Sequence, residues 1–247
     1  MNPKDALHQF FGFESFRGSQ AAIIERVLGG GHALVIMPTG AGKSLCYQIP
    51  ALLPCDDEQP QRRAITLVLS PLIALMKDQV DALRARGVEA TFINSSLSRE
   101  ERERRYSEVA EGRYRLLYVT PERFRKPEFL EVIARRKVRL LAVDEAHCIS
   151  EWGQDFRPDY SRLIEIRERL GQPTAIALTA TATPDVQTDI VRQLGLRPDE
   201  IELFHEGIER PNLRLNVQEV WGDEETLEHI LAVRARHSAS TGSGIVY

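Results

Sequence analysis

Ala33-Leu34-Val35-Ile36-Met37-Pro38-Thr39-Gly40-Ala41-Gly42-Lys43-Ser44 runs from an apolar stretch into a glycine-spaced turn, and Leu45 to Leu53 follows as a helix-like segment. A strand that opens through small residues into a helix is a cradle for phosphate groups. Glycines at 40 and 42 let backbone N–H groups of the turn, from Thr39 through Ala41 to Ser44, converge on anionic oxygens. The new helix presents its positive end, Lys43 adds a point charge, and the Ser44 hydroxyl is placed to ligate Mg²⁺. Met37 stands where the full loop pattern has its first glycine, so the octet alone also fits a plain strand-to-helix turn.

Val138-Arg139-Leu140-Leu141-Ala142-Val143 decides between the two, because it delivers Asp144-Glu145-Ala146-His147 at its end. A short apolar run with branched residues reads as a buried parallel strand. Ligands of open α/β sheets collect at the carboxyl ends of such strands. With the lysine loop about a hundred residues upstream, Asp144 is assigned to a phosphate-bridging Mg²⁺, and Glu145 to orienting and deprotonating an attacking water.

The 247 residues, 43% apolar, are enough for one sizeable core and the start of another. A net charge of −4 gives no global basic field, so any nucleic-acid contact is a local patch. Cys46, Cys55 and Cys148 are odd in number and unclustered, so no disulfide framework and no zinc site are expected. No secretory core opens the chain and no apolar run reaches membrane-spanning length. The expected setting is the cytoplasm, near the nucleoid in a bacterium, with no membrane partner. His8, His32, His205, His229 and His237 lack ligand spacing and read as structural or surface residues.

Strands are expected near 33–37, 64–69, 90–93, 115–119, 138–143, 174–179 and 200–204, mostly separated by helical patterns. That alternation implies an α/β fold, a mainly parallel sheet wrapped on both faces. Ser70 with Pro71, Ser98 with Glu101 as a capping box, and Thr183 with Pro184 are expected to start helices, the last stopping near Gly195. The run Arg99 to Arg105 reads as a solvated helical face, with Glu100 opposite Arg104 and Glu101 opposite Arg105. Gly207, Pro211 and Asn212 mark a linker. Beyond it a strand (213–220), a helix (224–236) and an apolar end (244–247) read as the truncated opening of a second domain.

Five ordered stretches together resemble the RecQ family of superfamily 2 DNA helicases: residues 11–20 (FGFESFRGSQ), 37–44 (MPTGAGKS), 70–79 (SPLIALMKDQ), 144–147 (DEAH) and 177–182 (ALTATA). The resemblance implies a RecA-like P-loop NTPase lobe over residues 1–207 and a stub of a second such lobe over 208–247. It also implies ATP and Mg²⁺ as ligands, 3′ to 5′ movement on single-stranded DNA, and unwinding of forked duplexes. Without the rest of the second lobe, little unwinding is expected. Two rivals stay open, a noncatalytic ATP-gated DNA clamp and an RNA-directed or translocase-type ATPase of the same superfamily.

The likeness also gives residues roles. Gln20 would pair with the adenine edge while Phe13 and Arg17 sandwich the ring, although Phe11, Phe13 and Phe16 equally fit a packed amphipathic helix. Residues 148–160 (CISEWGQDFRPDY) resemble the family's aromatic-rich loop, in which Trp152, Phe156 and Arg157 would meet stacked bases and a phosphate and tie DNA occupancy to His147 and Glu145. The same aromatics also fit a packed loop, and Gln154 stands where relatives usually carry His. Ser70, Pro71, Lys77, Thr120 and Arg123 resemble backbone-gripping motifs, with surface roles open for Lys77 and Arg123. Thr179 and Thr181 resemble the segment that couples hydrolysis to unwinding.

Overall fold

A computed structural model describes residues 1–53, 64–150, 156–207 and 216–236. Seven stretches rich in branched apolar residues pair as parallel strands: β1 (His32–Ile36), β2 (Ile65–Leu69), β3 (Ala90–Ile93), β4 (Leu116–Val119), β5 (Val138–Val143), β6 (Thr174–Thr179) and β7 (Ile201–His205). Their order across the sheet is β3-β4-β2-β5-β6-β1-β7. Every boundary falls within one residue of the sequence expectation.

Period-two alternation divides the strands between two cores. Ala33, Val35, Val68, Tyr118, Ala142 and Leu178 face one side, where they pack with α2 (Gln20–Leu28), α3 (Leu45–Leu52) and α4 (Ile73–Ala85). Leu34, Leu67, Leu117, Val143 and Ala177 face the other side and meet α5 (Arg99–Ala110), α6 (Pro127–Ala134), α7 (Leu163–Arg169) and α8 (Pro184–Gln193). Strands buried on both faces read as continuous apolar runs, which is why β2 and β5 stand out in the sequence. An N-terminal helix, α1 (Pro3–Ala6) continued by a π turn over Leu7–Phe11, adds a small third cluster against α2 and α3, with Phe11 and Phe16 packed on it.

Three local expectations are corrected. Ser70 does not cap α4: its amide extends strand pairing to Val119 O (3.1 Å), so the chain turns only after Pro71 and the helix starts at Ile73. Ser98 accepts from Glu101 N (3.1 Å), but the return half of the capping box is missing because the Glu101 carboxylate pairs with Arg104 (2.8 Å) and Arg105 (2.7 Å). Nor is the whole 99–105 face solvated. Arg105 is 8% exposed, donates to Phe92 O (2.8 Å) and lies 4.3 Å from the Phe92 ring centre. Phe92 sits on β3, an edge strand whose outward carbonyl has no neighbouring strand, and the guanidinium supplies the missing donor. By contrast Thr183 accepts from Val186 N (3.4 Å) at the start of α8, and Gly195 adopts φ 66° just beyond its end, as the sequence implies.

Contacts divide the chain into two units, Met1–Ile208 and Glu209–Tyr247. In the second, α9 (Asp223–Arg236) starts with acidic and ends with basic residues, favourable to the helix dipole. Residues 216–220 form no strand, contrary to expectation, and 213–215 and 244–247 lie outside the described residues. Among the described residues, no helix is long and apolar enough to cross a membrane.

Candidate active site

The site forms where β1, β6, β5, β2 and β4 end together. Gly40 (φ 85°) and Gly42 (φ 81°) occupy left-handed conformations that a side chain would strain, and they carry the chain from β1 around to α3. Among the described residues, the amides of Gly40, Gly42 and Ser44 donate to no backbone carbonyl. They are therefore open to an anion. The Lys43 ammonium lies over the turn, donating to Met37 O (3.0 Å) and Pro38 O (3.4 Å).

Beneath the turn lies Gln20, 2% exposed. Its Nε2 donates to Ala41 O (2.9 Å) and Gly42 O (3.2 Å), and its Oε1 accepts from Arg17 N (3.0 Å). A Cβ on Gly42 would come within 2.6 Å of that amide, so Gly42 is needed for close approach as well as for its backbone angle. The structure thus places Gln20 as a bridge from the turn at 17–20 to the phosphate loop. Both amide hydrogens are engaged, which leaves only a lone pair of Oε1 for a base edge. Phe13 is 45% exposed, and the Arg17 guanidinium stands 5.9 Å from its ring centre. A planar ring between them needs contacts of about 3.5 Å on each face, so the pair must part by about 1 Å to admit one.

β5 is separated from β1 only by β6, so strand spacing puts the acid pair about 10 Å from the loop strand. Asp144 extends the pairing by donating to Leu69 O (2.8 Å) and is 7% exposed. Burial, and then the neighbouring Glu145 charge, raise its carboxyl to about 6, with Lys43 acting weakly in the opposite direction. Glu145 turns left-handed (φ 50°, ψ 46°) and donates its amide to Asp144 Oδ1 (3.1 Å). Its Oε2 lies 3.4 Å from His147 Nδ1, which also lies 3.0 Å from Thr179 Oγ1. Thr179 is fully buried at the tip of β6; its hydroxyl donates to Thr181 O (2.9 Å) and accepts from Thr181 N (3.3 Å). That use of the hydroxyl hydrogen assigns the imidazole proton to Nδ1, facing both the threonine and the glutamate. Residues at 144–147 and 179–181 thereby form one connected polar chain.

The expected strand-contacting residues are divided. Lys77 is exposed and paired with Asp81 (3.1 Å). Ser70 and Thr120 are 2% and 3% exposed, Pro71 is buried, and Arg123 is turned inward at 8% by the 3₁₀ turn Pro121–Arg125. On the same turn Arg125 stands outward and meets Asp159 (2.5 Å), so the exposed cation is two residues beyond the one the sequence suggested. Arg157, half-buried, donates to Pro71 O (3.0 Å), which ties the segment after the acid motif to the turn before α4. Phe156 is half-buried too; Trp152 and Gln154 lie outside the described residues.

A buried polar group not singled out in the sequence backs the loop. Tyr47 and Tyr118 both donate to Gln79 Oε1 (2.9 and 3.0 Å), and Gln48 donates to Tyr118 (3.1 Å). They join α3, α4 and β4 behind the site. The available signal was polar residues at 47 and 48 inside an apolar helix pattern.

A family model described as DEAD/DEAH box helicase matches residues 17–190. The chain is 43% identical over 242 residues to the ATP-dependent DNA helicase RecQ of Haemophilus influenzae, covering 98% of this chain and 36% of that protein. It is 44% identical over 244 residues to RecQ of Bacillus subtilis, covering 98% and 39%. The chain thus spans between a third and two-fifths of the length of these relatives. Among solved structures, the helicase domain of Pyrococcus furiosus Hef is similar with a TM-score of 0.58, 20% identity, and coverage of 80% of this chain and 39% of that one. The helicase MrfA bound to DNA gives 0.63, 19%, 83% and 29%. At those identities the likeness is one of fold.

Proposed function

We propose, on the premise that the chain belongs to the DEAD/DEAH box helicase family and resembles its RecQ members over nearly its whole length, that it hydrolyses ATP in a RecA-like lobe over residues 1–207. Residues 208–247 open a second lobe. In a helicase that holds both lobes, turnover at this site is coupled to 3′ to 5′ movement on single-stranded DNA and to opening of forked duplexes, which sets the protein's work where DNA lies.

The observation that carries this reading is the polar chain Glu145–His147–Thr179–Thr181 beside a lysine-bearing loop with open amides. The loop amides and Lys43 hold the phosphates, and Thr39 and Ala41 line the turn. Phe13, Arg17 and Gln20 address the base. Ser44 and Asp144 are the groups that would hold Mg²⁺, which when bound neutralises charge on the phosphates. Glu145 takes the water's proton and directs its oxygen toward the terminal phosphate. His147 and Thr179 fix the glutamate's orientation, and Thr181 carries that state to the segment preceding α8. Lys77, Arg157, Phe156 and Trp152 are the residues proposed to meet DNA; Ser70, whose amide is held by Val119 O, and Pro71, which has no N–H, shape the turn there together with Thr120, and Arg123 contributes only through a change of its inward position.

Phosphate release measured with no polymer, single-stranded DNA or single-stranded RNA tests the reading. DNA should stimulate turnover. Glu145→Gln should lower it by about 10²–10⁴ while leaving ADP affinity unchanged. Equal turnover in that variant removes Glu145 from the role, and stimulation by RNA alone moves the protein to the RNA-directed class.

A further inference from the structure

We propose that Glu206 is a second support of the nucleotide site, a positioning residue that holds the base-side turn and, through it, the phosphate loop. The proposal rests on the reading of 13–20 and 39–44 as the nucleotide site. Glu206 follows β7 directly. Its amide donates to Ile36 O (2.9 Å), the last carbonyl of β1 before the loop begins. Its carboxylate crosses to the other side of the loop and accepts, through Oε1, from Ser19 N at the start of α2.

Gly18 makes this crossing possible. It sits at φ 47°, and a Cβ there would fall 2.0 Å from Glu206 Oε1 and 2.6 Å from its carboxyl carbon. The carboxylate occupies the space that any side chain at 18 would fill. The turn it grips is closed on the far side by Gln20, whose amide accepts from Arg17 N and donates to Ala41 O and Gly42 O. The contacts therefore make a ring: from Ile36 to Glu206, to Ser19, through Gln20 to Ala41 and Gly42, and back along the chain to Ile36. Two ends of the phosphate loop are fixed by residues more than 150 positions apart in sequence, a count set by the 187-residue separation of Ser19 and Glu206.

Ser19, the residue before α2, makes no side-chain cap bond, and its own amide is held by the Glu206 carboxylate. Its two contacts, to Ile36 O through the amide and to Ser19 N through the carboxylate, leave the amides of Gly40, Gly42 and Ser44 untouched. It is thus a brace, and not a competitor for the phosphates' donors.

Equilibrium binding of a fluorescent ADP, with thermal melting of each variant, tests the brace. Glu206→Ala should weaken binding by about 3- to 10-fold, the effect of one lost hydrogen bond on a site, with a melting temperature close to the parent's. Glu206→Gln keeps the acceptor oxygen and should bind within about twofold of the parent, the rescue that a hydrogen-bonded brace requires. Gln20→Ala serves as the reference for the site itself. If Gln20→Ala weakens ADP binding and Glu206→Ala does not, the brace is refuted and the site stands. If Gln20→Ala has no effect, the nucleotide reading of 13–20 fails first. A loss in Glu206→Gln as large as in Glu206→Ala also overturns the brace, since charge rather than the bond would then be at work.

Discussion

Replacing Asp144 by Asn should stabilise the nucleotide-free protein at neutral pH, although it removes a site residue. The carboxyl is raised from an ordinary 3.8 to about 6, first by burial and then by Glu145. A group whose folded value lies above its free value favours folding below pH 3.8, and that contribution is lost as pH rises through 6. At about 1.36 kcal/mol per pH unit, the ionised carboxylate at pH 7.5 carries roughly 3 kcal/mol of destabilisation that Asn does not. Asn keeps Oδ1 as acceptor for Glu145 N, so the local hydrogen bond survives. For a domain of this size the gain amounts to about 6–12 °C in melting temperature. Melting curves at pH 7.5 and pH 4, each with and without Mg²⁺ and ADP, measure it. The gain should be present at pH 7.5, largely gone at pH 4, and accompanied by loss of the Mg²⁺-dependent part of ligand stabilisation. No gain at pH 7.5, or the same gain at pH 4, would refute the assignment of a destabilising buried carboxylate.

Thr179→Val keeps shape but leaves His147 Nδ1 and Thr181 N without their shared acceptor; DNA stimulation of phosphate release should fall about 10-fold with ADP affinity unchanged, and full stimulation would break the proposed chain. Arg105→Ala strands Phe92 O on the edge strand and should cost about 1–3 kcal/mol in urea denaturation, whereas Arg99→Ala on the exposed face of the same helix should leave the urea midpoint where it is. Equal costs would return Arg105 to the solvent.

What the sequence disclosed and what it hid follow from the range of the forces involved. β2 and β5 are legible because strands covered on both faces are apolar at nearly every position, Thr66 and the half-buried Arg139 being the exceptions. The loop at 37–44 is legible because only glycine tolerates its backbone angles. The helix start at Ile73 was misplaced because the pairing of Ser70 with Val119 depends on a strand about fifty residues away, and a local capping pattern has no knowledge of it. Arg105 and Arg123 read as surface cations for a related reason: a charged residue's burial is decided by an acceptor elsewhere, such as Phe92 O, and not by its own neighbours in the chain. Gln20 was marked by the family likeness as a base contact, yet its hydrogen-bond partners at 41 and 42 emerge only when the turn and the loop fold together. Glu206 carries no local signal at all.

Glu145 and Asp144 both carry a cost in the free site, and a cation would relieve the second. Glu145 holds a left-handed backbone at a cost of about 1 kcal/mol that glycine would avoid. A glycine could not place a carboxylate 3.4 Å from His147, so the strain is coupled to the side chain the turn presents. Asp144 stays buried beside a like charge, and a cation at Ser44 and Asp144 would bring its carboxyl back down by supplying the missing counter-charge. Lys43 meanwhile donates to the carbonyls of Met37 and Pro38, in the same turn that offers its open amides. Desolvation at 144 and the like charge beside it therefore both point in the same direction, toward a bound cation. That common direction is why stabilisation by Asp144→Asn and loss of Mg²⁺-dependent ligand binding must appear together in one variant; observing either without the other would separate two properties that this geometry makes one.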